Sequence, residues 1–383
     1  IPRYIDSSEP EDLHDLDAHL RGGIPERDVD SLSAYWAVFP ALRDRLFAPA
    51  ERPGYLQARV EPREVKRTIL ETEEFAEFRR QATTVLTGWL EEHKPSLSNI
   101  NEETVPKTLI HALSEDLLIR FASFPLLDRY DVYQGLMDYW SELMQDDVYL
   151  LVAEGWQEAA KPRQIVSDSL RKIDESPDLV IGSGKKARKY KLDLIPPEVV
   201  SRVFFKAERK NIDALTDASE AAGRELEELT EEHAGEEGLL AEVTNEKGKI
   251  TKAALKDRLK ALESEEDSDE ERELLERCLE LMDRESEASK AVKDAQASLD
   301  ETVLAKYADL GVAEIKRLVI EHKWATALNS ALNAEVDRLT QTLADRIKDL
   351  ETRYAEPLPA LEQEVEELGS RVAEHLKTMG LAW

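Results

Sequence analysis

Cysteine and long apolar stretches are scarce in this chain, and each scarcity excludes a class of protein. The 383 residues include one cysteine, Cys278, so a disulfide framework is excluded and a reducing, cytoplasmic compartment is predicted. No run of about 18 apolar residues occurs, so the sequence predicts no membrane-spanning helix. The chain opens on Ile1-Pro2-Arg3-Tyr4, with neither an initiator methionine nor a secretory signal, and we therefore expect it to be part of a longer polypeptide.

Positive charge is also in short supply. The chain has 51 Lys and Arg against 81 Asp and Glu, which gives a formal net charge of −30 at pH 7. This balance excludes a generally basic protein that wraps nucleic acid, because contact with phosphates needs an excess of cations on the contact surface. A local basic surface on an acidic body is compatible with the composition.

One short segment is strongly basic, although the chain as a whole is acidic. It places five cations within seven residues: Lys185, Lys186, Arg188, Lys189 and Lys191. The apolar or alternating runs on either side of it, at 179–181 and 190–195, predict a β-hairpin connector at 176–196 with a basic tip. Such a tip would contact nucleic-acid phosphates without reading the base sequence. A solvated turn, or a patch that pairs with an acidic partner subunit, is the open alternative.

Apolar residues that recur at spacings of three and four predict helices over most of the N-terminal half. The periodic segments are 28–47, with a kink at Pro40, then 64–90, 104–121 and 130–156. We predict that they form a compact helical domain at 28–175. Residues 1–27 are acidic and interrupted by glycine and proline, and are predicted to be a linker with one short helix.

Long helices in heptad spacing are predicted for the C-terminal half. Segments 197–232 and 268–307, about 54 and 60 Å long, would form an antiparallel arm at 197–310 with an inserted loop at 234–267. A reversal at Pro357-Leu358-Pro359 makes 311–383 a second helical hairpin. The predicted packing seam consists of Ile212, Leu215, Leu226, Leu229, Leu274, Leu281, Val292, Leu299, Leu339, Leu343, Leu350, Leu361, Val365 and Leu368. The predicted fold class is mainly α: an N-terminal helical domain, a small β-hairpin and long antiparallel, coiled-coil-like helical hairpins.

Nothing in the sequence assembles a nucleophile, a base and an oxyanion hole, so no catalytic, cofactor-binding or metal-binding residue is predicted. His14 and His19 flank two aspartates, but residues five apart on a helix point about 140° apart, which disfavours a zinc site. Asp146 and Asp147 are interpreted as surface or capping residues. Cys278 lies on a heptad seam and is interpreted as a small buried apolar group.

Several stretches resemble a known family over nearly the whole chain. They are short runs of residues that are typical of the family and carry no chemical motif. They are Leu20-Arg21-Gly22-Gly23-Ile24-Pro25-Glu26-Arg27-Asp28-Val29-Asp30, Ser33-Ala34-Tyr35-Trp36, Pro125-Leu126-Leu127-Asp128-Arg129-Tyr130-Asp131-Val132-Tyr133, Met137-Asp138-Tyr139-Trp140, Gln145-Asp146-Asp147-Val148-Tyr149, Lys191-Leu192-Asp193-Leu194-Ile195-Pro196-Pro197, Gly235-Glu236-Glu237-Gly238-Leu239-Leu240 and Lys377-Thr378-Met379-Gly380-Leu381. In them the chain resembles the region that follows the catalytic core in modification (M) subunits of bacterial type I restriction–modification systems.

The resemblance implies the C-terminal half of an adenine-N6 DNA methyltransferase subunit. That family uses S-adenosylmethionine, a glycine-containing cofactor loop and an Asn-Pro-Pro-aromatic motif. Here Ile195-Pro196-Pro197-Glu198 lacks both the asparagine and the aromatic residue, so no catalytic residue is carried over and the chain is expected to be inactive alone. The cofactor is expected in a catalytic domain upstream of Ile1, in the presumed full-length subunit.

The resemblance also implies partners. In the family, C-terminal helices of the M subunit dock on the specificity subunit, and the complex further contains a restriction subunit and binds DNA. We therefore expect a non-catalytic assembly region that docks on the specificity subunit and helps to place the methyltransferase on DNA. The alternatives are a stand-alone coiled-coil scaffold, a DNA-backbone-binding module without methyltransferase association, and a self-contained enzyme.

Overall fold

A computed structural model describes residues 13–165, 176–233, 238–245, 250–262 and 269–379. It confirms the predicted mainly α fold class. The described residues form two compact units that interleave along the sequence. The first unit takes the described parts of Ile1–Leu97, Val105–Gln145 and Ala325–Trp383, and the second those of Ser98–Thr104 and Asp146–Trp324. None of the described helices combines the length and the apolar character needed to cross a membrane.

The N-terminal part of the first unit is built from short helices and then longer ones. Its helices are α1 Leu16–Arg21, α2 Glu26–Asp30, α3 Ser33–Val38, α4 Pro40–Leu46, α5 Val65–Leu70, α6 Glu73–Ser98, α7 Pro106–Arg120 and α8 Arg129–Tyr139, and its strands are β1 Ile24–Pro25, β2 Phe47–Pro49 and β3 Tyr55–Ala58. The strands form an antiparallel sheet in the order β1-β3-β2. A π-helical segment, Trp140–Met144, follows α8.

The segment 28–47, predicted as one kinked helix, is three separate helices. Pro40 starts α4 rather than bending a continuous helix, because its missing N–H has no partner to lose at a first helical position. Between α2 and α3, the indole N–H of Trp36 donates to the carbonyl of Val29 at 2.7 Å. The buried Phe39, Phe75 and Phe78 then join these helices to α6, with the rings of Phe39 and Phe78 5.4 Å apart.

The second unit holds the hairpin and the helical arm. Its elements are α9 Gln145–Ala159, β4 Arg163–Gln164, β5 Leu179–Ile181, β6 Arg188–Lys191, α10 Pro197–Phe204, α11 Lys206–His233, α12 Lys252–Leu262, α13 Asp269–Ala308 and α14 Val312–Arg317. A π-helical segment, Leu318–Trp324, follows α14. The predicted helix at 197–232 is broken at Phe205, whose backbone is not helical (φ −121°, ψ 47°).

The arm is an antiparallel pair, as predicted. The Ser219 hydroxyl donates to the carbonyl of Glu285 at 3.5 Å, and Arg277 pairs with Glu225. Later residues of α11 therefore contact earlier residues of α13, which is the antiparallel arrangement. At the end of the pair lies a separate hydrophobic cluster formed by Leu240, Val243, Leu255, Leu262, Leu275 and Cys278. The sequence predicts that Thr251 caps a short helix ending at Leu262, and this is confirmed for α12, since the N–H of Ala254 donates to the Thr251 hydroxyl at 3.2 Å. The sequence also predicts a turn at 245–248 and a capping box of Ser268 with Glu271 at the start of α13, but residues 246–248 and Ser268 lie outside the described residues.

Two helices complete the first unit: α15 Ala325–Tyr354 and α16 Leu358–Thr378. The apolar face of α15 packs against α5 and α8 of the N-terminal part, which is why the predicted linear domains at 28–175 and 311–383 differ from the observed units. Gly135 of α8 lies against α15, since a Cβ added there would be 3.4 Å from the Cβ of Ala331. An ion pair of 2.6 Å between Arg79 and Asp337 joins α6 to α15.

Candidate functional site

The basic segment forms a turn and the strand β6 of a three-stranded antiparallel sheet, with strand order β4-β6-β5. Leu179 pairs with Tyr190 and Ile181 with Arg188, which confirms the predicted β-hairpin. The third strand, β4, was not predicted, because two residues, Arg163 and Gln164, are too few to show a periodic pattern. Gly182 (φ +85°) and Gly184 (φ +61°) adopt the left-handed backbone that the turn requires.

The hairpin is held from its inner side and at its base. Leu179 and Ile181 are each 5% exposed, and β5 packs on α13. At the base, one carboxylate oxygen of Asp178 accepts from the Lys191 ammonium at 2.7 Å and the other from the N–H of Leu192 at 2.8 Å. The cations of the turn therefore stand on a fixed support.

The structure separates the five predicted contact residues into two groups. Lys191 is neutralised by Asp178 and belongs to the base of the hairpin. Lys186, Arg188 and Lys189 are exposed, and within the described part of the chain they have no ion-pair partner. The backbone of Lys185 lies in the short 3-10 turn Gly184–Lys186, and its side chain lies outside the description. We call Lys186, Arg188 and Lys189 the basic tip.

Replacing Asp178 by alanine is expected to loosen the hairpin base. The change removes the acceptor of two hydrogen bonds, a side chain that is 27% exposed, which should cost about 1–2 kcal/mol of unfolding free energy. The neighbouring Asp193 pairs with Arg163 at the surface, so Asp193→Ala should cost less than about 0.5 kcal/mol. Amide hydrogen exchange at Leu192 is the readout, and equal protection in both variants would contradict the assigned role of Asp178.

A second candidate surface lies on α16. Its apolar residues follow each other at spacings of three, four and seven and are exposed, from 38% for Leu361 to 75% for Met379. We call this set the apolar stripe: Leu358, Leu361, Val365, Leu368, Val372 and Met379. No residue of α16 is buried within the described part of the chain.

The predicted packing seam is thus divided among three environments. Leu343 and Leu350 on α15, and Leu281 and Leu299 on α13, are buried. The half-buried seam residues are Ile212, Leu215, Leu226, Leu229, Leu274, Val292 and Leu339. Leu361, Val365 and Leu368 belong to the exposed apolar stripe, so the two helices of the predicted C-terminal hairpin differ: the seam residues Leu343 and Leu350 of α15 are buried and those of α16 are exposed.

His14 and His19 meet, contrary to the helical-wheel prediction. His14 precedes Asp15, the N-cap of α1, so the two residues do not share a helix. Their Nδ1 and Nε2 atoms lie 3.0 Å apart, with the rings 11° from coplanar and the ring centres 5.3 Å apart. This head-on geometry is that of an N–H···N hydrogen bond rather than of two lone pairs converging on a metal ion. Across the described ranges, no group of three or more His, Cys, Asp or Glu side chains is placed to hold a metal.

Asp147, interpreted from sequence as a surface or capping residue, is 4% exposed. Its carboxylate accepts from the Lys323 ammonium at 2.7 Å and from the Trp324 indole N–H at 2.7 Å. Lys323 also donates to the carbonyl of Leu194 at 2.8 Å. The sequence gave no signal for this cluster, because Asp147 and Lys323 are 176 residues apart along the chain.

The segment Ile195-Pro196-Pro197, which is the part of the chain most similar to the Asn-Pro-Pro-aromatic motif, has a structural role. Ile195 is 1% exposed, its carbonyl accepts from the Tyr307 hydroxyl at 2.7 Å, and Pro197 starts α10. These residues do not fit an S-adenosylmethionine site. Burial raises the pKa of the Cys278 thiol, so this buried cysteine is a core group rather than a nucleophile.

The two candidate surfaces therefore offer association rather than bond chemistry: a basic tip suited to an anionic ligand and an apolar stripe suited to a helix. No family model, no curated protein and no solved structure matches this chain.

Proposed function

We propose that this chain is the non-catalytic assembly region of the modification subunit of a type I restriction–modification system, and that the apolar stripe of α16 docks on the specificity subunit. The observation that carries the proposal is the exposure of the whole stripe. The assembly would place an upstream S-adenosylmethionine-dependent adenine methyltransferase on DNA, with the restriction subunit as a further partner. The sequence patterns that resemble this family support the assignment.

The stripe needs a partner for a thermodynamic reason. Most of the stability of helices in proteins comes from packing an apolar face rather than from intrinsic helix propensity. In the first unit, α1 contacts α16, but every residue of the stripe stays exposed. Contiguous exposed apolar surface of this kind marks an interaction site.

The spacing of the stripe favours a helical partner. Leu358, Val365 and Val372 are seven residues apart, and Leu361 and Leu368 form the second row of the same heptad. Knobs at these two heptad positions insert between four residues of a facing helix, whereas a strand offers no matching holes. Long helices that separate the target-recognition domains of a specificity subunit would supply such a surface.

Replacing Val365 and Leu368 together by aspartate should abolish co-purification of the chain with the specificity subunit. Two carboxylates would be transferred from water into an apolar seam, so we expect affinity to fall by more than about 100-fold. Both positions are exposed, so the melting temperature of the isolated chain should not change. The measurement is affinity capture of the specificity subunit by the tagged full chain.

Ile119→Asp is the matched control, because Ile119 is 70% exposed on α7 and lies outside the stripe. This control should capture the specificity subunit as well as the unaltered chain does. Wild-type capture by the Val365→Asp, Leu368→Asp variant would refute the docking proposal. Self-association of the unaltered chain in sedimentation, without capture, would favour the stand-alone scaffold instead.

A further inference from the structure

We propose that the basic tip is a contact site for the phosphodiester backbone of duplex DNA, bound without regard to base sequence. The inference deepens the proposed function and rests on it for the presence of DNA near the chain. The site itself is defined by Lys186, Arg188 and Lys189, which are exposed and have no ion-pair partner in the described ranges. It is separate from the apolar stripe, which lies in the other compact unit.

The charge of the tip is uncompensated although acidic residues outnumber basic ones in the chain. The two other cations described in this sheet are neutralised, Lys191 by Asp178 at 2.7 Å and Arg163 by Asp193 at 3.2 Å. The carboxylates of the sheet are thus already engaged, and three cations remain. Repulsion of DNA by the rest of the chain is limited, because the Debye length is about 10 Å at 0.1 M salt.

The composition of the turn is better suited to binding a phosphate group than to binding an acidic protein. Gly182, Ser183 and Gly184 precede the tip and carry small or no side chains, which allows a backbone phosphate to approach closely. The exposed apolar residue of β5 is Val180, at 42%. Protein interfaces are enriched in aromatic residues and depleted in lysine, and the tip has the opposite composition.

The geometry favours duplex over single-stranded DNA. Binding of single strands relies on exposed aromatic rings that stack on bases, and the aromatic residue of β6, Tyr190, is half-buried in the sheet opposite Leu179. Successive residues of a strand point to opposite faces, so Arg188 and Lys189 extend to either side of the turn. Cations on both sides of a narrow turn match charges that are distributed along a duplex backbone.

The hydrogen-bonded backbone that carries the tip lowers the entropic cost of binding DNA. Besides the bonds of Asp178, the N–H of Ile165 donates to the carbonyl of Lys189 at 2.9 Å, and the N–H of Ala187 to that of Gly184 at 3.3 Å. The backbone that carries the cations is thus ordered before DNA arrives, and only the side chains lose freedom on binding.

The test measures binding of the full chain to a fluorescent duplex of about 30 base pairs, by anisotropy, between about 20 and 200 mM salt. Each phosphate contact contributes about −0.9 to the slope of log K against log salt. Replacing Lys186, Arg188 and Lys189 by glutamine should therefore make the slope less steep by about 2.7 and weaken binding at 0.1 M salt by roughly 500-fold.

The control variant carries Arg284→Gln, Lys290→Gln and Lys293→Gln. These residues are also one arginine and two lysines, are exposed on α13, and have no ion pair within the described residues. The control should keep the affinity and the salt slope of the unaltered chain. The Val365→Asp, Leu368→Asp variant should also keep them, and the tip variant should still capture the specificity subunit, so failure of this inference and of the docking proposal can be told apart.

Four results would overturn the inference. They are no binding of duplex DNA by the unaltered chain at the lowest salt, an unchanged slope in the tip variant, an equal loss in the control variant, and tighter binding of single-stranded DNA or polyglutamate than of duplex DNA. The last of these would assign the tip to a different ligand class.

Discussion

Replacing Leu343 by aspartate is expected to unfold the first unit, whereas replacing Leu368 by aspartate should leave its stability unchanged. The two leucines occupy equivalent places in heptad patterns on α15 and α16. Leu343 is 1% exposed and Leu368 is 48% exposed. Loss of a buried leucine side chain alone costs about 2–5 kcal/mol. An unpaired buried carboxylate adds several kcal/mol more, so the total approaches the whole stability of a typical domain.

Denaturant unfolding followed by circular dichroism measures the difference. Leu343→Met is the control, because it keeps the side-chain volume and should cost less than about 1.5 kcal/mol. If Leu343→Asp and Leu368→Asp lowered the free energy of unfolding by similar small amounts, the α15 face would not be an internal surface. A large loss in Leu368→Asp would show instead that the apolar stripe is covered within the chain.

This pair of leucines shows what heptad spacing predicts and what it leaves open. The pattern predicted both helices and their apolar faces, because a 3.5-residue repeat places these residues on one side of a helix. It did not indicate which surface covers each face. The α15 face is covered by α5 and α8, as the 275-residue separation of Lys66 and Gln341 and the 207-residue separation of Asp131 and Arg338 illustrate, and no local signal encodes such a pairing.

Features that depend on local chemistry were predictable. The turn glycines and alternating runs predicted the β-hairpin, and Thr251 predicted the start of α12, since these depend on neighbouring residues. The candidate site was predicted in part. Neutralisation of Lys191 was missed, although the hairpin register would have revealed it: Asp178 precedes Leu179, which pairs with Tyr190, the neighbour of Lys191.

Replacing Lys323 by methionine is expected to destabilise the second unit by about 3–5 kcal/mol at pH 7. Lys323 and Asp147 have side chains 9% and 5% exposed, so removing the ammonium leaves a buried carboxylate with the Trp324 N–H as its remaining donor among these three residues. The carbonyl of Leu194 also loses a donor. Removing one partner of a buried ion pair costs more unfolding free energy than the intact pair contributes, because the other charge stays in the interior without a partner.

The loss of unfolding free energy in Lys323→Met should become smaller as the pH falls. Burial raises the pKa of Asp147 above 3.8, opposed in the unaltered chain by Lys323 and by the Trp324 N–H. Without the ammonium this pKa rises further. Since the folded pKa then lies above the unfolded one, the native state binds the proton more tightly, and its stability rises as the pH falls toward 3.8 through that window.

A double variant separates the charge from the packing. Lys323→Met combined with Asp147→Asn removes both charges and keeps an oxygen that accepts from the Trp324 indole, so it should recover at least half of the lost free energy and show no pH dependence from this site. Denaturant unfolding of the three chains at about pH 5 and about pH 7 tests this, because the lower pH favours the protonated form of a carboxyl whose pKa burial raises. A loss below about 1 kcal/mol in Lys323→Met, or a loss equal at both pH values, would mean that water reaches Asp147 and that this cluster does not hold the second unit together.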